Sequence, residues 1–217
     1  MKHLKSFESV GQDEIYIKSV EVVSDIYPLK SGLKLEFNKK ITIIVGDNGV
    51  GKSTLLECLR NHYKSPSVSY MARRIEPGHI KVDDVDTDFN FTYIDFHGDD
   101  LKFATSFVDG LMDQQIQQMR ASSGQVSISL LNNALGDIEK VKNGVVILDE
   151  PCRGQSIKNK WKVVSLIHGL SLKFNCQVIL TTHSDTILKS FKDSAQYFDI
   201  SANQDTTYRD FIISQFR

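Results

Sequence analysis

Three short runs of predominantly apolar residues are the strongest feature of the hydrophobic pattern along this chain. They are Ile41–Val45, Val145–Leu148 and Cys176–Thr181. Apolar runs of this length are typical of strands that are buried on both faces of a sheet. Alternating or shorter apolar segments predict further strands at Glu14–Ser24, Leu33–Phe37, Phe89–Phe96 and, at an edge of the sheet, Tyr197–Ile200.

Segments with apolar residues at helical spacing alternate with these strands. Strands that alternate with helices indicate an α/β protein with a mainly parallel sheet and helices on both faces. The polar stretch Lys64–Asp88 contains prolines and a glycine and predicts loops or a hairpin. Ser156 is a good N-cap candidate for one of the helices. The helices are predicted at Lys52–His62, Asp100–Arg120, Val126–Val141, Ser156–Asn175, from Ser184 onward and at Tyr208–Phe216.

Length and composition favour one globular domain. The chain has 217 residues, of which 41% are apolar and 24% charged, which is enough for a buried core and unlike a disordered chain. The helical segment 100–141 interrupts the alternation of strands and helices. We therefore predict a single domain over residues 1–217 with a small helical subdomain at 100–141.

Charge and cysteine content narrow the class of partner and the compartment. The net charge of −1 provides no global positive field that would favour nucleic acid or an acidic membrane surface. The net charge does not exclude a local patch of positive charge. Cys58, Cys152 and Cys176 are widely spaced, which argues against a disulfide framework and fits a reducing compartment. The first residues lack the apolar stretch of a signal peptide, and no run is long enough to span a bilayer. We expect a cytoplasmic protein without membrane insertion.

Residues 46–54 match the phosphate-binding pattern G-x-x-x-x-G-K-[ST] in full, between a buried strand and an amphipathic helix. The glycines let the backbone curl so that several N–H groups point at an anion, and the start of the helix adds its positive end. Lys52 is expected to reach the β- and γ-phosphates of ATP, and Ser53 to supply a hydroxyl to Mg²⁺. The predicted nucleotide-binding residues of this P-loop are Gly46, Asp47, Asn48, Gly49, Val50, Gly51, Lys52, Ser53 and Thr54.

An acidic pair follows the second buried run. The predicted strand delivers Asp149 to its carboxyl end, where the carboxylate can hold Mg²⁺ directly or through water. Glu150 comes next and points in a different direction, so it can serve a water molecule as a general base or as an orienting group. Together with the P-loop, the pair predicts Mg²⁺-dependent hydrolysis of ATP.

These motifs resemble the ATPase domain of the ABC superfamily, and in particular its soluble RecF/SMC-like branch with small stand-alone ATPases. The resemblance extends from about Ile15 to about Ile200 and rests on the approach to the P-loop, Leu35–Val45, as well as on the P-loop itself. It implies a P-loop NTPase fold of the ABC-ATPase head type. The stretch between Lys52 and Asp149 has room for a helical subdomain but not for a long coiled-coil arm.

The resemblance also implies a signature segment and a switch histidine. The segment 121–125 is similar to the family's signature, which contacts the γ-phosphate bound by the opposite subunit. His183, after the third buried run, resembles the histidine that contacts the γ-phosphate or the attacking water. The implied site residues in the signature are Ser122, Ser123, Gly124 and Gln125.

Two segments depart from the family pattern. His97, Asp99 and Asp100 stand where a metal-sensing glutamine is usual, and Cys152–Ser156 departs from the family's D-loop. Tyr27 lies where transporter-type members stack adenine on an aromatic ring, but a core or surface tyrosine is the simpler interpretation.

The sequence therefore predicts an ATPase head with Lys52, Glu150 and His183 as catalytic residues and with Ser53 and Asp149 as Mg²⁺ ligands. The resemblance implies a head-to-tail homodimer that closes on two ATP molecules and has a DNA-related or defence role, with a further protein partner and nucleic acid left open. The alternatives are an ATP-gated binding module with little turnover, the motor subunit of an ABC transporter, and a P-loop kinase.

Overall fold

The computed structural model describes residues 14–65, 75, 78–86, 88–96 and 141–216. Within these ranges the chain forms nine strands and four helices. The strands are β1 (Ile17–Val22), β2 (Lys34–Glu36), β3 (Ile41–Val45), β4 (Ile80–Asp84), β5 (Asn90–Asp95), β6 (Gly144–Asp149), β7 (Gln177–Thr181), β8 (Gln196–Asp199) and β9 (Gln204–Thr206). The helices are α1 (Lys52–His62), α2 (Ile157–Lys173), α3 (Asp185–Ser190) and α4 (Tyr208–Ser214).

A six-stranded sheet in the order β5-β6-β7-β3-β8-β9 forms the centre of the described structure. All neighbouring strands in it are parallel except β8 and β9, which are antiparallel. Every residue of β3, β6 and β7 is buried. The predicted mainly parallel sheet is therefore confirmed, and the three apolar runs form its centre.

Helices cover both faces of this sheet, as predicted. On one face, Val146, Leu148 and Leu180 pack against buried residues of α2 and α3, such as Ile167 and Ile187. The other face carries a separate set of apolar side chains, which packs against α1 and the small sheet described below. That set includes Ile44, Ile147, Ile179, Leu55, Leu56 and Leu59.

A second, antiparallel sheet of three strands in the order β2-β1-β4 lies on the α1 side. Two buried glutamines join it to the main sheet. The amide oxygen of Gln177 on β7 accepts hydrogen bonds from Tyr16 N (3.0 Å) and Ile17 N (2.8 Å), and its amide nitrogen donates to Ile17 O (2.9 Å). Gln196 on β8 donates to Glu36 O at 2.7 Å.

Two elements differ from the sequence prediction. The segment Lys64–Asp88 was predicted as loops or a hairpin, yet β4 lies within it and pairs with the distant β1. Only Ile80 of this strand is buried, so its hydrophobic signal is weak. Tyr197–Ile200 was predicted at an edge, but the polar β9 covers that position.

The remaining helix predictions agree in part with the structure. Lys52–His62 is helical over the predicted range, and Ser156 is the N-cap residue of α2, although its side chain makes no capping hydrogen bond. The predicted helices Asp100–Arg120 and Val126–Val141 lie outside the described residues, apart from Val141 at the end of the second one. The single domain over 1–217 and its helical subdomain at 100–141 stay predictions.

The contact between β5 and β6 gives a test of this packing. Gly144 is paired with Asn90, and a Cβ atom at Gly144 would lie 2.1 Å from the backbone oxygen of Asn90. We expect Gly144→Ala to lower the free energy of unfolding by about 1–3 kcal/mol, because a backbone atom must move. Urea denaturation measures this change.

Gly169→Ala is the matched control for this experiment. Gly169 lies within α2, and a Cβ atom there meets nothing within 4 Å. The substitution should raise the free energy of unfolding by about 0.5–1 kcal/mol, because alanine restricts the unfolded chain and favours the helix. Equal effects of the two substitutions would contradict the proposed crowding at Gly144.

Candidate functional site

Four strands of the main sheet deliver polar groups to the same edge. The strands β3, β5, β6 and β7 are parallel, so their carboxyl ends lie side by side. This edge of an open α/β sheet is where ligands bind. The P-loop follows β3, Asp95 ends β5, Asp149 ends β6, and Thr181 ends β7.

All three glycines of the P-loop, Gly46, Gly49 and Gly51, have a backbone in the left-handed region. Gly46 has a φ of 136° and Gly51 a φ of 109°, both in the left-handed region that residues with a Cβ atom avoid. A Cβ atom at Gly51 would also lie 2.3 Å from Leu29 Cδ2. The glycines that the sequence pattern singled out therefore permit the tight curl from β3 into α1.

Lys52 lies at the start of α1 and folds over the loop. Its Nζ donates hydrogen bonds to the carbonyl oxygens of Gly46 and Asp47, each at 2.8 Å. Burial lowers the pKa of this ammonium group below its ordinary value, while the nearby carboxylates of Glu150 and Asp149 oppose that shift. Phosphate oxygens are stronger acceptors for an ammonium group than carbonyls, so the loop is arranged for an anion.

Asp149 and Glu150 diverge because the backbone turns sharply between them. Asp149 is 1% exposed, and one of its carboxylate oxygens accepts a hydrogen bond from the hydroxyl of Thr181. Glu150 has a φ of 55°, and its N–H donates to Thr181 Oγ1 at 3.1 Å. The predicted difference in direction between the two carboxylates is therefore present, and Thr181 contacts both residues.

His183 and Glu150 lie in direct contact. The backbone N–H of His183 donates to Glu150 Oε2 at 3.3 Å, and its ring Nε2 lies 3.5 Å from Glu150 Oε1. The structure thus brings together the two residues that the sequence marked separately after β6 and β7.

A cleft of about 950 Å³ joins these groups. Its wall includes all three predicted catalytic residues and both predicted Mg²⁺ ligands. Of the predicted P-loop residues, those outside the lining are Gly46, Asp47 and Val50. The residues that line the cleft are Tyr27, Pro28, Asn48, Gly49, Gly51, Lys52, Ser53, Thr54, Glu57, Ile75, Tyr93, Asp95, Asp149, Glu150, Cys152, Arg153, Gly154, Lys160, His183 and Ser184.

The sequence prediction missed several polar residues of this cleft. Glu57 on α1 accepts hydrogen bonds from Arg60 Nε at 2.7 Å and from Tyr93 OH at 3.3 Å. Its position one helical turn after Ser53 was a usable signal, because residues at i and i+4 share a helix face. Asp95 is paired in register with Asp149, which only the strand pairing reveals. Lys160 was likewise not singled out.

Tyr27 is a surface residue, as the simpler interpretation held. It is 87% exposed and lies on the cleft wall next to Pro28, which is close to Gly51. Because Tyr27 lies beside the P-loop, the alternative that adenine stacks on its ring is retained. His97, Asp99, Asp100 and the signature residues Ser122, Ser123, Gly124 and Gln125 lie outside the described residues, and their roles stay predictions.

The donor set suits Mg²⁺. The hydroxyl of Ser53 and the carboxylate of Asp149 are hard oxygen donors, and Mg²⁺ in nucleotide sites takes one or two protein ligands and completes its shell with water and phosphate. The described ranges contain no group of three or more His, Cys, Asp or Glu side chains placed to hold a metal. The two oxygen donors, Ser53 and Asp149, therefore fit a Mg²⁺ ion that also binds the phosphates of the nucleotide.

The curled loop after β3, the buried strand that ends in two acids and the shared cleft are the features of a P-loop ATPase. Residues 23–211 match the family described as AAA domain, and the chain belongs to that family.

Curated relatives include zinc import ATP-binding proteins. The zinc import ATP-binding protein ZnuC of Vibrio vulnificus is 24% identical over 180 residues, which cover 78% of this chain and 67% of the relative. ZnuC of Photobacterium profundum is 27% identical over 161 residues, or 70% of this chain and 60% of the relative. The chain thus spans about two thirds of their length.

Solved structures with a similar fold include further ATP-binding cassettes. CbiO1 from Clostridium perfringens, part of the ABC transporter complex cbiONQ, has a TM-score of 0.58 at 17% identity and covers 93% of this chain and 92% of that chain. The ADP conformation of MJ1267 has a TM-score of 0.58 at 14% identity, with coverages of 88% and 89%. Among the described helices, none has the length and apolar character needed to span a bilayer.

The hydroxyl of Thr181 allows a test of the metal site. We expect Thr181→Val to weaken Mn²⁺ binding in the presence of ADP by about 10–100-fold, because it removes the hydrogen bond that orients Asp149. Electron paramagnetic resonance of bound Mn²⁺ measures the affinity without turnover.

Thr42→Val is the matched control. Thr42 is a buried strand residue of β3 whose hydroxyl donates to Gln196 Oε1 at 3.3 Å, and it does not line the cleft. It should leave Mn²⁺ affinity unchanged. Unchanged affinity in Thr181→Val as well would show that Thr181 does not orient the metal ligand.

Proposed function

We propose that this chain is a Mg²⁺-dependent ATPase head that closes as a head-to-tail homodimer on two ATP molecules. The observation that carries the proposal is the common cleft, in which Lys52, Asp149, Glu150 and His183 meet at one end of the sheet. A phosphate-binding loop, a metal ligand and a carboxylate beside a histidine are the groups that phosphoryl transfer to water requires.

Each group has a distinct role in this proposal. The backbone N–H groups of the P-loop and the start of α1 bind the phosphates, and Lys52 exchanges its carbonyl partners for phosphate oxygens. Ser53 and Asp149 hold Mg²⁺, which supplies charge neutralisation at the phosphates.

Glu150 accepts a proton from the attacking water or orients that water. Its backbone is fixed by Thr181, and His183 contacts its carboxylate. His183 is therefore placed to bind the same water or the terminal phosphate. The geometry of the pair supports turnover over an ATP-gated binding module, which would not need a carboxylate in this position.

The dimer in this proposal depends on the signature residues Ser122, Ser123, Gly124 and Gln125. A solved relative supports the arrangement: the cassette MJ0796 forms a dimer in a post-hydrolysis state with ADP and Pi, at a TM-score of 0.50, 16% identity and coverages of 89% of this chain and 97% of that chain. The γ-phosphate would favour the closed state because only ATP provides contacts to both subunits.

A second candidate is the motor subunit of an ABC transporter. It is favoured by the relatives ZnuC of Vibrio vulnificus and Photobacterium profundum, which are zinc import ATP-binding proteins. A cytoplasmic location fits both candidates, since Cys58, Cys152 and Cys176 are free thiols. The RecF/SMC-like branch, the DNA-related or defence role and the open nucleic-acid partner stay predictions.

Two substitutions test binding and hydrolysis separately. Lys52→Ala should abolish ATP binding, measured by calorimetry, because the ammonium group that faces the phosphates is lost. Glu150→Gln should bind ATP but release phosphate about 10²-fold more slowly, or slower still, because it lacks the base. Unimpaired ATP binding in the first variant would contradict the P-loop assignment, and full turnover in the second would remove Glu150 from catalysis.

Dimer closure has its own test by light scattering. Glu150→Gln keeps ATP intact, so it should run as a dimer in ATP–Mg²⁺ and as a monomer or weaker dimer in ADP. Adding Ser123→Arg should disrupt that dimer, because a bulky cation blocks the opposite nucleotide. A mass that does not depend on ATP, or a dimer that survives Ser123→Arg, would refute the composite site while leaving ATP binding intact.

A further inference from the structure

Two cationic side chains line the cleft without a role in the mechanism above. Arg153 follows Glu150 by three positions, and Lys160 lies in the first turn of α2. Both lie on the cleft wall together with Lys52, Glu150 and His183. Cations on the wall of a phosphate-binding cleft attract the negative charge of a bound nucleotide. These two residues are therefore candidates for determining which nucleotide the cleft binds most tightly.

Hydrogen bonds fix the turn that presents Arg153. The N–H of Arg153 donates to Glu150 O at 3.0 Å, and the N–H of Gln155 donates to Cys152 O at 3.2 Å. The buried side chain of Gln155 donates to Pro151 O at 2.8 Å. The backbone of Arg153 is thus held at a defined place relative to the carboxylate of Glu150.

Lys160 approaches the same turn from α2. Its N–H donates to Ser156 O at 3.0 Å, which places it at the helix start directly after the turn. Cys152, which belongs to that turn, and Lys160 both line the cleft. The two cations therefore flank one turn.

Neither cation is neutralised by an acid in the described ranges, where no ion pair or side-chain hydrogen bond of Arg153 or Lys160 is found. Arg60 provides the contrast, since it forms an ion pair with Glu57 at 2.7 Å. An unpaired cation beside a cleft raises the local concentration of anions and binds them when they enter.

The turn of Arg153 connects the cations to the part of the cleft that holds the candidate base. Tyr27 and Pro28 lie on the cleft wall next to Gly51, whereas Arg153 lies in the turn in which its N–H donates to Glu150 O. The candidate base Glu150 must lie next to the attacking water, and that water must lie next to the γ-phosphate. The γ-phosphate is therefore expected on the same side of the cleft as Glu150.

We propose that Arg153 and Lys160 bind the γ-phosphate of the ATP held by the same chain and so make the site prefer a triphosphate over a diphosphate. This proposal rests on the proposed function, in which the cleft binds ATP. ADP lacks the group that the two cations contact, so they contribute little to its binding.

Calorimetry with two probes tests the proposal: the non-hydrolysable analogue AMP-PNP and ADP, each with Mg²⁺. Arg153→Ala and Lys160→Ala should each weaken AMP-PNP binding by about tenfold, the effect of one charge-assisted hydrogen bond, and ADP binding by less than about twofold. Arg153→Lys should retain part of the preference. Equal losses for both nucleotides, or no loss, would overturn the proposal.

Lys158→Ala and Lys162→Ala are matched controls. Both lysines are exposed on α2 within two positions of Lys160, but neither lines the cleft. They carry the same charge, so they should leave both affinities unchanged. If they reduced AMP-PNP binding as much as Lys160→Ala does, the effect would be one of general charge, and the proposal would be wrong.

Two further measurements separate this proposal from others. Wild-type protein that binds neither nucleotide would refute the proposed function and this inference together, whereas equal effects on the two nucleotides refute only the latter. The titrations are repeated with Ser123→Arg, at concentrations where scattering shows a monomer. A preference for AMP-PNP that persists there supports contact within one chain, and its loss overturns it.

Trp161 provides an independent signal. It is the only tryptophan in the sequence, it is 55% exposed and it follows Lys160. AMP-PNP should change its fluorescence more than ADP does in the wild type, and Lys160→Ala should remove the difference. Identical spectra with both nucleotides in the wild type would contradict contact between Lys160 and the γ-phosphate.

Discussion

The parallel register of β5, β6, β7 and β3 is the constraint on which the site depends. Because Asp95, Asp149 and Thr181 are register partners across three neighbouring strands, they lie side by side at the carboxyl ends of these strands. A shift of one residue in β6 would turn Asp149 to the opposite face. Full burial of β6 and β7 resists such a shift, since the two faces contact different layers.

Part of this arrangement could be predicted from the sequence. The P-loop, the acidic pair and His183 follow apolar runs, and a run that ends in polar residues identifies the carboxyl end of a buried strand. The bounds of β3 and α1 agree with the predicted ones for the same reason. What the sequence could not provide is adjacency between strands: Asp95 became a site residue only through its pairing with Asp149.

The weaker elements were missed because their stability comes from partners and not from their own pattern. β4 buries one residue, and β9 is polar throughout, yet each pairs with a strand that the core holds in place. The position of a loop side chain relative to the cleft was likewise not predictable from the sequence. Arg153 appeared in the sequence as a departure from a family motif, and only the turn hydrogen-bonded to Glu150 places it on the cleft wall.

The glutamines that join the two sheets have a mechanical consequence. Gln177 binds the start of β1, and Gln196 binds Glu36 at the end of β2, each through a buried amide. Both lie on strands adjacent to β3, the strand that leads into the P-loop. The small sheet is therefore connected to the two neighbours of β3 through the hydrogen bonds of these two amides. A displacement of the small sheet should therefore also shift the phosphate-binding loop that follows β3.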